Sequence, residues 1–388
     1  MEYRVDPKTG KQVSLLAFGC MRFHKDQAEA ERHVRYAIEN GVNYFDTAYI
    51  YPGSEAVLGR ILAKDGLRAQ VNIATKLPYY LARKPEDLDK LFHTQLDRLQ
   101  TEYIDYYMVH MLPSPQSWRR LCDIGIVEWV QKQKAEGKIR QFGFSFHGTG
   151  PDFQTLIDAF DWDFTMIQYN YYDIHFQAGR QGLYYAAERG VPVMIMEPLR
   201  GGTLVHKLPP AAKAVWDNAP GDATPAAWAL RWVFDHPEVL TVLSGMGTME
   251  MVEENVRVAS EAVPNSLTEE EQTYFDRART AIQQATKVPC TSCGYCMPCP
   301  AGVDIPLCFN SLNDTVLNGK LKTQYWYVAT AEGHNAARCI HCGKCEPLCP
   351  QGIPIQEKLG QVERELERFL YRPMRFIVRR MLKNKPER

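Results

Sequence analysis

Short apolar runs rich in β-branched and aromatic residues recur from Leu15 to Ser244. They are Leu15–Gly19, Val42–Thr47, Val71–Lys76, Asp105–His110, Ile139–Ser145, Phe164–Gln168, Pro192–Met196 and Leu240–Ser244. Between them lie stretches of helical period, such as Asp26–Asn40, Pro85–Leu99, Ile126–Glu136, Pro151–Ala159, Gly179–Arg189 and Pro225–Phe234. Alternating strand and helix patterns predict a parallel sheet. Eight such units in succession predict a (β/α)8 TIM barrel. A doubly wound sheet that bound a dinucleotide would carry a GxGxxG turn after its first strand, and this chain has none there. A last helical pattern from Ser266 to Gln283 closes the unit, and Ser266 with Glu269 three residues on reads as a capping box.

The pattern then gives way to cysteine. Cys290-Thr-Ser-Cys-Gly-Tyr-Cys-Met-Pro-Cys-Pro300 is followed by Cys339-Ile-His-Cys-Gly-Lys-Cys-Glu-Pro-Leu-Cys-Pro350. Closely spaced thiolates with a terminal Cys-Pro suit iron–sulfur clusters, which need many soft anionic ligands in a small volume. Structural zinc is a competing reading, but four cysteines per run over-supply one tetrahedral site. Disulfides would need an oxidising compartment. The runs resemble the bacterial two-cluster ferredoxins, in which the fourth cysteine of each run ligates the other cluster. That resemblance implies one [4Fe–4S] cluster on Cys290, Cys293, Cys296 and Cys349, and another on Cys339, Cys342, Cys345 and Cys299. The first run has two residues, not three, before its fourth cysteine, which leaves the partition open and makes Cys308 a substitute ligand. Helical patterns at Asp304–Asn318 and Thr323–Gly333 predict a small α-helical ferredoxin-like domain. Asp304-Ile-Pro and Gly352-Ile-Pro-Ile echo each other after the two runs.

These patterns divide the chain into a barrel over residues 1–285, a cluster domain over 286–360 and a basic tail over 361–388. Arg368–Arg388 holds eight basic residues and one acidic one, with Phe369, Leu370, Phe376, Ile377, Met381 and Leu382 interleaved. It reads as a terminal helix packed on the barrel, or as a docking surface for an acidic partner or anionic membrane. Net charge is −1, so no nucleic-acid partner is expected. The polar N-terminus lacks a signal-peptide core, and no apolar run approaches the ~20 residues that span a bilayer. A cytoplasmic protein is expected.

Barrels place their chemistry at the carboxyl ends of the strands. Strand two ends Phe45-Asp-Thr-Ala-Tyr-Ile-Tyr51, strand three Ala74-Thr-Lys76, and strand four Tyr107-Met-Val-His110. An acid, a phenol, a lysine and a histidine therefore meet on one rim. A lysine beside a tyrosine is expected to lower the phenol's pKa, and a carboxylate to hold the lysine. Each group alone is more often structural. Cys20, Arg22 and His147 lie on the same rim, and each reads equally well as packing or loop structure.

Leu16-Ala-Phe-Gly-Cys-Met-Arg22, Phe45-Asp-Thr-Ala-Tyr49, Gly53-Ser-Glu-Ala-Val-Leu-Gly59, the Lys76 strand and Tyr106-Tyr-Met-Val-His110 resemble the aldo-keto reductase family over most of residues 10–260. With its cysteine runs, the whole chain resembles the ferredoxin-fused branch. The resemblance implies a catalytic tetrad of Asp46, Tyr51, Lys76 and His110, with Tyr51 as proton donor to a carbonyl oxygen. It also implies a cofactor site with Ser145 and Gln168 at the nicotinamide, Pro198, Leu199 and Arg200 after strand seven, Gly245 and Met246 in a phosphate loop, and Glu254 and Asn255 at the adenine. NADP(H) or NAD(H) is the expected cofactor. This chain departs from the family pattern at Phe146, where asparagine is expected, and at Met196, where an aromatic residue usually stacks. The basic residues that clasp a 2′-phosphate are missing after strand eight, leaving Arg200 as the nearest cation. A flavin is therefore a further candidate.

The expected function is an oxidoreductase acting on a small carbonyl or alcohol, with electrons relayed through both clusters and a ferredoxin- or flavodoxin-type partner. A plain NAD(P)H carbonyl reductase with structural or regulatory clusters is the first alternative. A non-catalytic redox sensor or electron-transfer subunit is the second.

Overall fold

The computed structural model describes residues 1–290, 292, 294–331, 333–349 and 351–367. Cys293 and the basic stretch Arg368–Arg388 lie outside the described residues. The chain divides into two compact units: Met1–Gly201 with Asp222–Thr268, and Gly202–Gly221 with the residues from Glu269 on.

In the first unit, β1 (Tyr3–Val5) and β2 (Gln12–Ser14) form an antiparallel hairpin. Three residues per strand leave no alternation to read, and the sequence gives no sign of it. Eight strands follow: β3 (Leu16–Gly19), β4 (Tyr44–Asp46), β5 (Asn72–Leu77), β6 (Ile104–Leu112), β7 (Ile139–Phe146), β8 (Phe164–Gln168), β9 (Val193–Met196) and β10 (Val239–Ser244). They are parallel, stand in chain order, and close with β10 beside β3. This is the expected (β/α)8 barrel.

Inside, Tyr44, Ala74, Tyr106, Met108, Phe164, Met166 and Met194 form one buried cluster. Tyr44 and Tyr106 pack with ring centroids 5.0 Å apart. The hairpin connection seals the amino end, where the Tyr106 hydroxyl donates to Asp6 over 2.9 Å. Arg4 donates to the carbonyls of Phe234, His236 and Val239, satisfying the loop that enters β10.

The expected helices are present. Asp26 caps Gln27–Glu39 by accepting from the Ala28 amide, and Thr224 caps Pro225–Phe234 by accepting from Ala227. Proline at the first turn suits both that helix and Pro85–Leu99, because the missing N–H has no intrahelical partner there. Ser54–Leu62 and Pro115–Asp123 are further helices with no counterpart in the periodicity reading. The capping box at Ser266 is not formed as expected. The closing helix begins at Glu269, and the Ser266 and Leu267 amides donate to Asp235 instead.

In the second unit, Pro210–Asp217 packs on Glu269–Gln284, with the Trp216 and Phe275 rings 5.3 Å apart. Ile305–Asn318 and Lys320–Thr330 form a helical pair, and Ile355–Val362 packs on the first of these. Asp304 caps its helix by accepting from the Leu307 amide. The second helix starts three residues earlier than expected, directly after Gly319, whose φ of 79° breaks the first. Val288, Val303, Ile305, Phe309, Leu312, Tyr327, Val328, Leu359 and Val362 make its core.

Candidate active site and cluster sites

Strand periodicity builds the rim. Side chains two residues apart point the same way, so each interior residue names the rim residue above it. Tyr44 leads to Asp46, Ala74 to Lys76, Met108 to His110, Met166 to Gln168 and Met194 to Met196. Tyr51 arrives from the loop after β4, where its amide donates to the Ala48 carbonyl over 3.0 Å.

Lys76 is buried and its ammonium has two acceptors. It pairs with the Asp46 carboxylate and donates to the Thr47 carbonyl over 2.7 Å. Its nitrogen lies 5.1 Å from the centre of the Tyr51 ring. The Tyr51 and His110 rings meet edge to face, 6.0 Å apart. Asp46 Oδ2 and His110 Nδ1 are buried without a hydrogen-bond partner. The four residues named from sequence are thus brought together.

Burial works against the Lys76 charge, but Asp46 and then Tyr51 outweigh it and hold its pKa above the ordinary value. Burial, with help from Lys76 and His147, pushes His110 well below the usual imidazole range, so it is neutral. The expectation for Tyr51 is reversed. Lys76 does pull the phenol down, but burial is larger and the net shift is upward. A water-poor site penalises the phenolate more than one neighbouring cation rescues it.

The cofactor-side residues lie where expected along the chain, but most are engaged locally. The Ser145 hydroxyl accepts from the Met111 amide over 2.8 Å. The Gln168 side chain donates to Asp173 over 2.8 Å and accepts from Gln177. Arg200 pairs with the same Asp173 carboxylate at 3.0 Å. Pro198 is buried and Leu199 half-buried in the turn between them, whose ends Glu197 and Arg200 have φ of 56° and 50°. Gly245 is exposed and Met246 buried in the loop after β10. Glu254 accepts from Thr224, and Asn255 donates to the Ser244 hydroxyl at the end of β10. Phe146 is buried, and Met196 is half-buried. The glycine loop and the amide-bearing rim fit a dinucleotide's diphosphate and carboxamide. The stacking aromatic and the 2′-phosphate cations are absent from their expected places. Sequence reading missed Asp173, which gathers Gln168, Asn170 and Arg200. Its signal was an acid at a buried position shortly after a strand end.

In the second unit the cysteines line two cavities. The wider, of about 390 Å³, is bordered by Cys296, Cys299, Cys339, Cys342 and Cys345 with Ile305 and Leu359. The narrower, of about 20 Å³, is bordered by Cys290, Cys296, Cys349, Phe309 and Ile353. Thiols grouped in apolar surroundings are a donor set that fits iron–sulfur clusters. Asn310 and Asn313, on one helix, fix the first run: Asn313 bonds both backbone groups of Val288, and Asn310 donates to Ser292. The Ser292 amide points at Cys290 Sγ, 3.4 Å away. Cys308 borders neither cavity. It is fully buried, 3.5 Å from the Tyr327 hydroxyl, and burial pushes its thiol well up.

Comparison with known proteins agrees with this arrangement. The Aldo/keto reductase family matches residues 15–279, and the 4Fe-4S dicluster domain matches residues 289–353. L-galactose dehydrogenase of Arabidopsis thaliana is 28% identical, over 67% of this chain and 89% of its own. An aldo-keto reductase of Mycolicibacterium vanbaalenii is 31% identical, over 60% and 78%. Among solved structures, aldo-keto reductase AKR11C1 from Bacillus halodurans in its holo form superposes with a TM-score of 0.60 at 27% identity, covering 72% of this chain and 96% of that one. An aldo/keto reductase from Klebsiella pneumoniae, in complex with NADP and acetate, gives 0.56 at 26% identity, covering 69% and 92%. With the barrel, its rim and the matched length together, the chain belongs to the aldo/keto reductase family and carries a C-terminal 4Fe-4S dicluster domain.

Proposed function

We propose that the barrel interconverts a small carbonyl compound and its alcohol, and that two [4Fe–4S] clusters carry electrons to or from it. The observation that carries this reading is the Lys76 ammonium, held between Asp46 and the Thr47 carbonyl beneath the Tyr51 ring, with His110 edge-on. Tyr51 is the proton donor. Its raised pKa keeps it protonated at neutral pH, and Lys76 offsets the charge that develops on its oxygen as the proton leaves. Asp46 keeps Lys76 charged in a buried place. Neutral His110 orients the substrate oxygen by hydrogen bonding rather than by charge.

A bound nicotinamide supplies the hydride. Ser145 and Gln168 would hold its carboxamide side, and the Gly245–Met246 loop its diphosphate, for which helix N-termini and glycine amides are suited. The complex of the Klebsiella pneumoniae relative with NADP supports this choice. Cys290, Cys293, Cys296 and Cys349 would hold one cluster, and Cys299, Cys339, Cys342 and Cys345 the other. Carbonyl reduction takes two electrons and two protons: the hydride brings both electrons and one hydrogen, and Tyr51 brings the other proton. The oxidised nicotinamide would be restored by one proton and two single electrons from the clusters, through a flavin that takes electrons singly and passes a hydride. An external one-electron carrier of ferredoxin or flavodoxin type would supply them in the cytoplasm, where thiols stay reduced. The proposed domain limits are 1–285, 286–360 and a tail over 361–388; the family matches at 15–279 and 289–353 fall within the first two.

The test is anaerobic reduction of benzaldehyde to benzyl alcohol with NADH and with NADPH. Wild-type protein turns over and Tyr51→Phe loses roughly 10²–10⁴-fold, the usual size of a lost general acid. Equal turnover by both proteins removes Tyr51 from the chemistry.

A further inference from the structure

The phenol of Tyr51 stands on a loop and Lys76 on a strand, so their mutual position depends on what ties the loop to β5. We propose that Glu55 is a positioning residue for both, acting through a buried network on the outer face of β5. This inference rests on the role assigned to Tyr51 above.

The geometry follows from strand alternation. Lys76 points into the barrel, so Thr75 points out, toward the helices. There Glu55, from the Ser54–Leu62 helix that follows the Tyr51 loop, accepts from the Thr75 hydroxyl over 2.7 Å and from the Gln95 amide over 2.8 Å, both on Oε1. The same Gln95 amide lies 3.1 Å from the Lys76 carbonyl. Gln95 in turn accepts from the Tyr107 hydroxyl over 2.8 Å. Glu55, Thr75, Gln95 and Tyr107 are all fully or almost fully buried. One carboxylate oxygen therefore holds the Thr75 side chain directly and the Lys76 carbonyl through Gln95.

The other oxygen faces the Tyr51 loop. Arg98 pairs with Glu55 Oε2 at 3.1 Å. It donates to the Tyr49 carbonyl over 3.3 Å and stacks 4.4 Å from the centre of the Tyr49 ring. Tyr49 is two residues before Tyr51. The loop's other side is pinned separately, by Thr47 to Ser54 and by Ser54 to the Cys20 carbonyl. Glu55 is thus a single rigid group with one oxygen on the lysine strand and the other, through Arg98, on the tyrosine loop. A carboxylate with four lone-pair sites and a fixed fork is suited to this, because its two oxygens cannot move independently. Bulk packing alone would not require a buried acid between two polar chains, since burying a charge is costly unless every partner is supplied.

The consequence is a shared register between donor and cation. Loss of the fork lets the loop shift relative to β5, and a displacement of about 1 Å is enough to cost about 10²-fold in a positioned reaction. The experiment uses the full-length protein with its clusters and benzaldehyde as substrate, with NADH and with NADPH. Glu55→Gln keeps the size of the side chain but gives up the ion pair with Arg98. Its kcat is expected to fall roughly 10- to 100-fold with KM changed less than about threefold. The Tyr51→Phe, Glu55→Gln double variant is expected to be no slower than Tyr51→Phe alone, because Glu55 acts through Tyr51. A purely structural acid would instead slow the double variant by a further factor equal to its own effect, and that result overturns the proposal. So does a Glu55→Gln kcat within twofold of wild type. If Glu55→Gln fails to fold, Arg98→Gln replaces it, because it leaves Glu55 bonded to Thr75 and Gln95 and frees only the Tyr49 side. The same non-additivity with Tyr51→Phe supports the proposal, and additivity overturns it. Full activity in Tyr51→Phe would instead defeat the tyrosine reading, a result separate from either outcome for Glu55.

Discussion

The barrel rim and the cysteine domain hold their chemistry in opposite ways. In the rim, Asp46, Lys76 and His110 stand on three adjacent strands, each directly above a residue of the interior layer. The Asp46 and Lys76 charges compensate each other, and the strand behind them is fixed by buried hydrogen bonds. In the cysteine domain the ligands are borne by loops, and their neighbours are two cavities. Apolar burial holds both loops at their base, and two asparagines fix the first. The rim is therefore shaped by folding alone. The cysteine loops would be shaped by folding together with metal, because ligation free energy becomes folding free energy.

This contrast predicts its largest effect in the second unit. Anaerobically prepared protein should contain roughly eight irons and eight acid-labile sulfides per chain, the content of two [4Fe–4S] clusters. Cys339→Ala should remove half of each and lower the unfolding midpoint of this unit, read by circular dichroism. Stoichiometric zinc without iron would break the comparison at its root. Next come the rim variants. Lys76→Met should reduce benzaldehyde turnover about as much as Tyr51→Phe, roughly 10²–10⁴-fold. It should also cost about 3–5 kcal/mol of stability, because it leaves Asp46 buried without its partner. Tyr51→Phe should cost far less stability, and urea titration of both variants separates the two effects.

Smaller effects come from pH. Because burial raises the Tyr51 pKa, the alkaline limb of kcat should lie at or above about pH 10, the ordinary tyrosine value. A limb near pH 8 would contradict the burial argument. His147 is depressed by burial to about 4. Its contribution to stability is present above the unfolded value of about 6.5 and is lost as pH falls toward about 4, since the unfolded chain binds the proton first. The slope of the urea midpoint between pH 7 and pH 5 should shrink in His147→Asn. The smallest effect concerns Arg200. Since Asp173 already binds it, Arg200→Gln should change the Kd values for NADH and NADPH by similar factors in a fluorescence titration. A loss confined to NADPH would make Arg200 the 2′-phosphate cation.

Much of this molecule is legible in its sequence. Eight strand patterns became eight strands, because each run is short, bounded and apolar on both faces, as parallel strands covered by helices must be. Asp46, Lys76 and His110 were legible at their strand ends because a two-residue period fixes what stands there, while Tyr51, in the loop after β4, and the joint role of the four came from the family resemblance. Of the two cysteine cavities, one is bordered by Cys290, Cys296 and Cys349 and the other by Cys296, Cys299, Cys339, Cys342 and Cys345, so Cys296 borders both. The local engagement of the cofactor side was not legible. Ser145 meets the Met111 amide 34 residues away, and Arg200 meets Asp173 from 27 residues away. No period encodes such pairings, which depend on how loops fold over neighbouring strands. The Glu55–Arg98 pair spans 43 residues and was hidden for the same reason. The Tyr51 pKa was misjudged because sequence displays the neighbouring lysine but not the depth of burial.

The most direct test asks whether cluster electrons reach the tyrosine site. Full-length protein and Tyr51→Phe are supplied anaerobically with reduced methyl viologen, oxidised NADP and benzaldehyde, and benzyl alcohol is measured. The account predicts that wild-type protein forms one benzyl alcohol for every two electrons withdrawn from the dye. It also predicts that Tyr51→Phe loses this activity by the same factor as it loses NAD(P)H-driven activity. Dye oxidation without alcohol, or alcohol formation unaffected by Tyr51→Phe, would contradict it.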